Sequence, residues 1–282
     1  MTSTVRAGRS SKIARNAGSY LLLVLLACVV LFPVYMTLVR ALSTPVKYIN
    51  AGSPPYPVAI QWDVFQRAYR EAGLGPQMLR SLIATVIIVG GQVLTSVLAA
   101  YAFVYLRFPF KRIAFGLFMA TLMLPLEVTL IGNVETMRSL HWFDSFQGLT
   151  APFLATGFGT FLIRQGMLGI PREFRDAARL DGYGHLAFLR RFAIPLIRPV
   201  LGSFILISFL QAWNQYLWPR AITDKQSFDT VQIGIADLLA SRPESANIAV
   251  AGALIAAAPI IVLLIFFQRH IVRGLTAGAV KG

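Results

Sequence analysis

The sequence is dominated by long apolar stretches that contain almost no ionisable residues. Crossing the roughly 30 Å of hydrocarbon in a bilayer takes about 20 apolar residues in a helix, which satisfies its own backbone hydrogen bonds there. Six stretches meet this requirement: Tyr20–Val39, Ser81–Leu106, Ile113–Val134, Ser145–Ile163, Pro199–Pro219 and Ser245–Gln268. None alternates polar and apolar residues with a period of two, so strands are not indicated. We predict an all-α integral membrane protein with six transmembrane helices.

The composition agrees with a membrane location. Of the 282 residues, 56% are hydrophobic and 13% are charged, and the mean hydropathy is +0.64. Soluble domains carry about a quarter charged residues, so this chain has too few charges to cover a surface that faces only water. These values exclude disordered tails, collagen-like fibres and ordinary cytosolic enzymes. The one cysteine, Cys28, can form neither an internal disulfide nor a metal-ligand cluster.

The charges that are present are strongly unequal in sign, with 26 Lys and Arg against 12 Asp and Glu and a net charge of +14. Such an excess occurs in nucleic-acid-binding proteins and also in membrane proteins, whose cytoplasmic loops collect cations. With a cytoplasmic N-terminus, 17 of the 26 cations lie on the cytoplasmic side of the six spans. The pattern therefore predicts cytoplasmic termini and no nucleic acid as partner.

The spans divide the chain into a membrane domain between two tails. The divisions are a basic N-terminal tail (residues 1–18), the six-span domain (residues 19–270, with a long connection at 170–197) and a C-terminal tail (residues 271–282). The first span exceeds the apolar region of a signal peptide, which has about 7–15 residues, so we expect a retained anchor. Pro125 and Pro152 predict kinks in the third and fourth spans.

The long connection after the fourth span predicts two short helices. Pro171 suits the first turn of a helix, and Glu173 lies where the helix dipole favours an acid. Gly182 can adopt the left-handed conformation that ends helices, so the first helix should stop there. A second helix is expected from about His185 to Pro195, where the proline should break it.

The first of these helices combines charges with small side chains. Asp176 is spaced i,i+4 from Arg172 and i,i+3 from Arg179, so opposite charges can meet on one face. Ala177 and Ala178 leave part of the helix nearly bare of side chain. These features fit a solvated amphipathic connector and, equally well, a helix that inserts into a groove on a partner while its arginines supply directional contacts.

The same segment resembles a known family motif. The run Asp176–Ala178, then Gly182, then the run Phe192–Pro195 resembles the EAA motif of ATP-binding-cassette (ABC) importer permeases, with Asp176 for the usual Glu and Ile194 for the usual Leu. In that family the motif forms a coupling helix that seats in a cleft of the ATPase subunit. The resemblance implies the type I ABC importer permease fold. It assigns ATPase coupling to the following residues: Arg175, Asp176, Ala177, Ala178, Arg179, Asp181, Gly182 and Pro195.

Other segments extend the resemblance over most of the chain. The ending Gly274–Gly282 is similar to that of the second permease subunit of maltose-type importers, whose tail reaches between the two ATPase subunits. Thr121–Val128 and Trp213–Pro219 are more similar to the glycerol-3-phosphate branch of the same carbohydrate-uptake family. The resemblance assigns ATPase contacts in the tail to Leu275, Thr276, Gly278 and Lys281.

Catalytic and cofactor-binding motifs are missing from the sequence. It contains no Gly-x-x-x-x-Gly-Lys-Ser/Thr loop to cradle nucleotide phosphates, so this chain is not itself the ATPase. We expect no catalytic residue, metal or cofactor on the chain, and the resemblance places ATP and Mg on a partner ATPase. His141, His185 and His270 lie in three separate segments near membrane boundaries and are interpreted as solvated histidines.

Two groups of residues are candidates for a solute path. Glu127 is the one ionisable residue in the six spans. Because a lone charge in lipid is costly, Glu127 would face a polar cavity or a partner. The alternative is that its carboxyl group lies near the outer end of the span and is hydrogen-bonded or protonated there. The second group combines amides that bond hydroxyls with rings that stack on sugars: Trp213, Asn214, Gln215 and Tyr216. An aromatic belt at the membrane interface is the alternative for this group.

The resemblance implies one half of the membrane channel of a binding-protein-dependent importer in a prokaryotic cell membrane. The partners would be a homologous permease subunit, two ATPase subunits and an extracytoplasmic solute-binding protein. The solute would be a carbohydrate, moved by alternating access. Glycerol-3-phosphate or a glycerophosphodiester is the alternative solute. A channel or scaffold outside the ABC family is the remote alternative, because it would need no coupling loop.

Overall fold

The computed structural model describes residues 4–71, 73–241 and 243–277. These residues are almost entirely helical, and their β-type pairing is limited to an isolated bridge between Ser43 and Ile60. The α-helices are α1 (Thr4–Leu42), α2 (Pro45–Asn50), α3 (Val64–Glu71), α4 (Leu74–Tyr105), α5 (Lys111–Ala120), α6 (Leu126–Ser139), α7 (Phe146–Thr150), α8 (Gly157–Leu168), α9 (Arg172–Leu180), α10 (His185–Phe188), α11 (Ile194–Leu196), α12 (Arg198–Trp213), α13 (Leu217–Ile222), α14 (Val231–Ser241) and α15 (Ala246–Ala277). Shorter 3-10 turns occur at Thr121–Met123, Ala151–Phe153, Gln226–Phe228 and Pro243–Ser245.

The described residues contain candidates for all six predicted spans. Three are uninterrupted: Gly18–Leu42 in α1, the whole of α4, and Ala246–Phe267 in α15. The other three are helix pairs with bends of 101°, 48° and 80° at a short break. These pairs are Lys111–Met123 with Glu127–Ser139, Phe146–Phe153 with Gly157–Leu168, and His185–Leu196 with Arg198–Trp213. With each pair counted as one span, the predicted all-α membrane fold is confirmed.

Prolines lie at the breaks in the third and fourth spans. Pro125 is the N-cap of α6, and Leu124 before it is extended, because proline disfavours helical backbone in the preceding residue. The 101° bend follows at this point. Pro152 lies in the 3-10 turn that comes before the 48° bend. The two predicted kinks are confirmed.

The helix of the fifth span ends earlier than predicted. The apolar stretch continues to Pro219, but α12 ends at Trp213 and Pro219 falls inside the next short helix, α13. Asn214 is the C-cap residue, and its side-chain Nδ2 donates to the backbone oxygen of Leu210 at 2.9 Å. Asparagine favours helix ends because its side chain competes for backbone hydrogen bonds, which explains the early stop.

The chain forms two compact units, which are described separately. The first contains the described residues of 1–72 and 236–255. Its loop after α1 is held by Ser43, whose Oγ donates to the oxygen of Val39 at 2.6 Å and accepts from the N–H of Val58 at 3.1 Å. The buried apolar side chains of this unit include Val39, Ala41, Tyr48, Val64, Ala68, Ile248, Ala249 and Ala251.

The second unit contains the described residues of 73–235 and 256–282. In it α4 packs against α8 and α12, and small residues allow the close approach. A Cβ atom on Gly159 of α8 would overlap the ring of Phe204 on α12 and the hydroxyl of Ser96 on α4. One core cluster comprises Val97, Ala100, Tyr101, Tyr105, Ile163, Met167, Ala178, Phe188, Leu189, Ala193, Ile197 and Phe204. This cluster includes residues of the long connection, so the connection packs directly on the helix ends.

Much apolar surface is left uncovered by the described chain. In α1 the large apolar side chains from Tyr20 to Tyr35 are 47–70% exposed. Ile131 on α6 and Phe266 on α15 are exposed to a similar degree. Soluble monomers rarely expose continuous apolar surface of this extent. Lipid or another apolar subunit must therefore cover these helices.

Candidate functional site

The first predicted helix of the connection is α9. It begins directly after Pro171, and Glu173 lies in its first turn, as predicted. Two of its apolar side chains, Phe174 and Leu180, are 47% and 89% exposed. Exposed apolar side chains on an otherwise charged helix are typical of helices that insert into a partner's groove.

The end of α9 is a Schellman motif centred on Gly182. The N–H of Tyr183 donates to the oxygen of Ala178 at 2.8 Å, and the N–H of Gly182 donates to the oxygen of Arg179 at 3.0 Å. Gly182 has a φ of +79°, in the left-handed region that glycine adopts without a Cβ penalty. The predicted stop at Gly182 is confirmed.

The second predicted helix runs from His185 to Leu196 but changes type within that length. Its middle, Leu189–Ala193, is a π-helix. Pro195 lies inside the last α-helical turn, the backbone leaves the helix at Ile197 and an 80° bend follows, so the expected break occurs two residues after Pro195. Proline has no N–H for the preceding turn, and the wider π turn before it accommodates this loss, so the helix continues for one residue past Pro195.

Arg175 attaches α9 to the end of α4. Its Nη2 donates to the backbone oxygen of Tyr105 at 3.1 Å, and its Cζ lies 5.2 Å from the centroid of the Tyr105 ring. The Tyr105 hydroxyl in turn donates to the backbone oxygen of Met167, near the end of α8, at 3.2 Å. Arg175 and Tyr105 therefore connect the candidate coupling helix with the ends of two spans.

Asp176 and Arg179 lie on the exposed side of α9, whereas Ala178 is buried in the core cluster. Within the described part of the chain, Asp176 forms no ion pair with Arg172 or Arg179. The expected intrahelical pairing is therefore wrong. Exposed ion pairs contribute only about 0–1 kcal/mol, so the separated side chains lose little and stay accessible to a partner.

A second attachment of the connection was not predicted. The Tyr101 hydroxyl and Nδ1 of His185 are hydrogen-bonded at 2.9 Å, and the Tyr101 and Tyr105 rings lie 4.9 Å apart. Phe188 packs edge-on against Tyr105 at 5.4 Å. His185 is exposed, as the sequence indicated, but its hydrogen bond to Tyr101 was not expected. The available signal was the i,i+4 spacing of two tyrosines at the end of an otherwise apolar span.

Part of the predicted C-terminal contact lies at the end of α15. This helix runs to Ala277, so the backbone of Leu275 and Thr276 is helical. Gly278 and Lys281 lie outside the described residues. The helix therefore extends the sixth span by several residues toward the predicted ATPase contact.

Trp213, predicted near a solute path, is a core residue. It is 2% exposed, its ring stacks on Phe209, and its Nε1 donates to the backbone oxygen of Ala256 at 3.1 Å. In this conformation the indole presents no open face to a sugar. A tryptophan in an interfacial aromatic belt would be exposed to lipid, so that alternative does not describe Trp213 either.

The short link between α12 and α13 consists of the other three predicted residues, Asn214, Gln215 and Tyr216. Nε2 of Gln232 donates to Oδ1 of Asn214 at 3.3 Å. Gln215 lines a small cavity of about 10 Å³, and Thr230 is another polar residue on its wall. Tyr216 is 40% exposed. The three residues therefore place amide and hydroxyl groups at an interruption of the fifth span, where polar groups are accessible.

Glu127 lies at the break of the third span, in the first turn of α6. Its side chain is exposed, and the helix dipole favours a negative charge at this end. Pro125 starts this helix in the middle of the apolar stretch, so Glu127 lies beside the bend between the two helices of the third span. Among the described residues, no group of three or more His, Cys, Asp or Glu is placed to hold a metal ion.

These features define a class of protein: a multi-pass membrane subunit whose exposed helix, α9, is attached to the ends of its spans. Residues 92–277 match the family described as "Binding-protein-dependent transport system inner membrane component". The chain belongs to this family. It is a transport subunit of the inner membrane, and the resemblance inferred from the α9 sequence is confirmed.

Relatives of known name match this chain over nearly their full length. The sn-glycerol-3-phosphate transport system permease protein UgpE of Yersinia pestis bv. Antiqua is 33% identical over 265 residues, with 91% of this chain and 94% of the relative covered. The protein of the same name from Salmonella choleraesuis is 34% identical over 266 residues, with the same coverage of 91% and 94%.

Solved structures show the same fold. A bacterial ABC transporter involved in the import of the acidic polysaccharide alginate matches with a TM-score of 0.74 and 23% identity, covering 93% of this chain and 97% of that chain. A bacterial alginate ABC transporter in complex with an alginate pentasaccharide-bound periplasmic protein matches with a TM-score of 0.63 and 14% identity over the same shares, 93% and 97%.

Proposed function

We propose that this chain forms one half of the translocation channel of an ATP-driven importer, with α9 as its coupling helix. The observation that supports this proposal is that α9 is exposed on one side and bonded to a membrane span on the other. Its outer side exposes Phe174 and Leu180, while Arg175 on the inner side is bonded to the end of α4. A helix built in this way can receive a partner on one side and pass its displacement to the spans on the other.

The coupling residues then fall into two groups by exposure. Asp176, Ala177, Arg179, Asp181 and Gly182 are exposed and would contact the ATPase directly. The buried or half-buried members would hold the helices in place: Arg175, Ala178 and Pro195. This division follows from side-chain position, because only exposed groups can touch a docked subunit.

The proposed mechanism is alternating access. ATP-driven closure of the ATPase dimer would displace α9, and the bond from Arg175 to Tyr105 would transfer this motion to α4. The bond from Tyr105 to Met167 would carry it to α8. Since α4 and α8 pack closely, they would move as one body and rock the channel between inward-open and outward-open states.

The proposed partners follow from the surfaces left exposed. A homologous permease subunit would cover apolar surface such as that of α1, which is exposed from Tyr20 to Tyr35. Two ATPase subunits, which hold ATP and Mg, would dock at α9 and at the tail residues Leu275, Thr276, Gly278 and Lys281. An extracytoplasmic binding protein would deliver the solute. No nucleic acid, metal or catalytic residue enters this proposal.

The proposed orientation places both termini in the cytoplasm of a prokaryote. Residues 1–18 and 271–282 would be cytoplasmic tails, and α9 would face the same compartment. The distribution of Lys and Arg supports this orientation, since 17 of the 26 cations fall on that side. Labelling of single cysteines placed in the tails of a Cys28→Ser variant would check it.

The proposed solute is a carbohydrate. Asn214, Gln215 and Tyr216 would offer hydrogen-bonding groups to sugar hydroxyls, Glu127 would lie at the break of the third span, and Trp213 would support the path from the core. The second candidate is glycerol-3-phosphate, which is favoured by the names of relatives that are 33% and 34% identical.

The test is reconstitution of the chain with its partner permease, ATPase and binding protein. We expect the ATPase to co-purify with the chain and the loaded binding protein to stimulate ATP hydrolysis. A panel of mono- and oligosaccharides with glycerol-3-phosphate and glycerophosphodiesters would identify the solute. Gly182→Asp should uncouple hydrolysis from uptake or weaken assembly. Normal co-purification, stimulation and uptake in that variant would contradict the coupling role of α9.

A further inference from the structure

A cavity of about 720 Å³ lies where α4 ends, beside α9. Five of the side chains that line it are basic: Arg107, Lys111, Arg175, Arg179 and His185. None of the described residues on its wall carries a carboxylate. The cavity is large enough for a small polar ligand, and its chemistry selects for negative charge.

The basic groups are held in place without neutralisation. Nζ of Lys111 donates to the backbone oxygen of Leu106 at 2.8 Å, and Nη2 of Arg175 donates to that of Tyr105 at 3.1 Å. Both acceptors are neutral carbonyls at the end of a helix, so the two positive charges persist. Arg107 is exposed and, within the described part of the chain, has no acidic partner within 4 Å. The cavity therefore combines oriented cations with unsatisfied charge.

The cavity lies at the end of a membrane span, and Lys111 on its wall begins α5, whose neighbouring side chains include exposed apolar groups. Phe108 stands beside Lys111, whose Nζ lies 5.9 Å from the centre of its ring. Phe110 is 76% exposed, and Ile113 and Leu117 on α5 are 61% and 65% exposed. The ligand that suits both features has an anionic group for the cavity and a hydrocarbon part for this surface.

We propose that the cavity binds the headgroup of an anionic phospholipid, with an acyl chain lying along the exposed face of α5. Basic pockets at the ends of spans suit such headgroups because the phosphate meets several cations while its chains stay in the bilayer. A soluble phosphate would leave the exposed apolar side chains of α5 uncovered, and so would an acidic protein segment. The proposed function would place this lipid in the cytoplasmic leaflet, and that placement rests on the proposed function. The preference for an anionic lipid, which follows from the charges and the apolar surface, does not depend on it.

The site would make the coupling helix sensitive to lipid composition. Arg175 and Arg179 belong to α9, whereas Arg107 lies in the connection after α4 and Lys111 is the first residue of α5. A phosphate between the two groups would attract both, and its removal would leave like charges opposing each other across the cavity. Anionic lipid would therefore hold α9 against the end of α4.

The test measures lipid bound to the complete transporter in nanodiscs. One set contains phosphatidylcholine alone, and the other an equimolar mixture with phosphatidylglycerol. Arg107→Gln is the test variant, and Arg190→Gln, which removes an exposed cation from the same connection as α9, is the matched control. With roughly 1 kcal/mol per basic residue near a charged membrane, we expect Arg107→Gln to weaken retention of phosphatidylglycerol about five-fold. Arg107→Glu should weaken it further, and Arg190→Gln should not change it.

Equal retention in the wild type, Arg107→Gln and Arg190→Gln would overturn the proposal. Occupation of the site by inorganic phosphate, with no preference for phosphatidylglycerol, would overturn it as well. Solute-stimulated ATP hydrolysis in phosphatidylcholine alone is measured in parallel. Stimulated hydrolysis with no specific lipid retention would reject the lipid site and leave the importer function standing. Specific retention without stimulated hydrolysis would reject the importer function and leave the lipid site standing.

Discussion

Arg175 donates a hydrogen bond to the backbone oxygen of Tyr105, which lies 70 residues earlier in the chain. This oxygen belongs to the last turn of α4, and the residue four positions on is Pro109, which has no N–H. The carbonyl therefore depends on a partner from outside its own helix. The guanidinium supplies that partner and covers the Tyr105 ring as well.

Arg175→Gln should loosen the attachment of α9. The substitution removes the charged hydrogen bond and the stacked guanidinium, and because Arg175 is only half-buried we expect a loss of about 1 kcal/mol in stability. The melting temperature of the assembled complex in detergent measures this loss. Solute-stimulated ATP hydrolysis should fall relative to basal hydrolysis. Arg172→Gln removes an exposed cation from the same helix, and an equal drop in its melting temperature would contradict the assignment.

Gly182→Ala should destabilise the end of α9 through its backbone. The left-handed φ of +79° costs a residue with a Cβ about 1–2 kcal/mol, although the structure leaves open space around that position. Gly182→Asn should be milder, because asparagine tolerates this region better than alanine does. The control is Gly184→Ala, since Gly184 has an ordinary φ of −72° and equally open space. Thermal melting and ATPase co-purification should rank the variants as Gly184→Ala, Gly182→Asn, Gly182→Ala, from least to most affected.

Tyr101→Phe should weaken the hold on the segment after α9. It deletes the hydrogen bond to His185 while preserving the ring contact with Tyr105, and we expect a loss of about 1 kcal/mol. Hydrogen exchange of the backbone around His185 and Phe188 should become faster. Tyr183→Phe is the control, because the Tyr183 ring contacts Arg191 and its hydroxyl has no hydrogen-bond partner among the described residues. Faster exchange of equal size in both variants would argue against a specific role for the Tyr101 bond.

Gly159→Ala should disturb the packing of three helices at once. The added methyl group would overlap Phe204 and Ser96, and Phe204 is 1% exposed, so its ring has no free space to enter. Overpacking of this kind costs about 1–3 kcal/mol. Gly90→Ala is the control, because Gly90 lies in α4 with open space around its Cβ position. There the better helix propensity of alanine should raise stability by up to about 1 kcal/mol. Equal melting temperatures for the two variants would contradict the predicted close packing.

Local features were the most predictable part of the molecule. The ends of α9 follow from Pro171 and Gly182, whose backbone preferences act within a few residues. The kinks at Pro125 and Pro152 arise in the same way. The bounds around the fifth span were less exact, because the helix before it continues one residue past Pro195 and Asn214 ends α12 before the apolar stretch reaches Pro219.

Contacts between distant segments could not be predicted in this way. Tyr101 and His185 are 84 residues apart, and no pattern in either segment indicates that the two residues are in contact. The cationic cavity likewise combines the connection after α4 with α9, so its charges appear in the sequence as two unrelated basic runs. The role of Trp213 was equally hard to predict from the sequence. Its aromatic ring and its neighbouring amides suggest a binding site, but in the structure the ring packs on Phe209 in the core.

The amino-acid sequence alone shows that this chain spans a membrane, which stretches cross it, where α9 begins and ends, and which family the chain belongs to. Apolar length, charge placement, proline and glycine act over one or two helical turns, so a linear pattern expresses them. The folded structure was needed to show which side of α9 is bonded to the spans, which arginines converge on one cavity and which polar residues stay exposed. Those outcomes depend on how helices pack, because packing brings together groups that the chain keeps far apart.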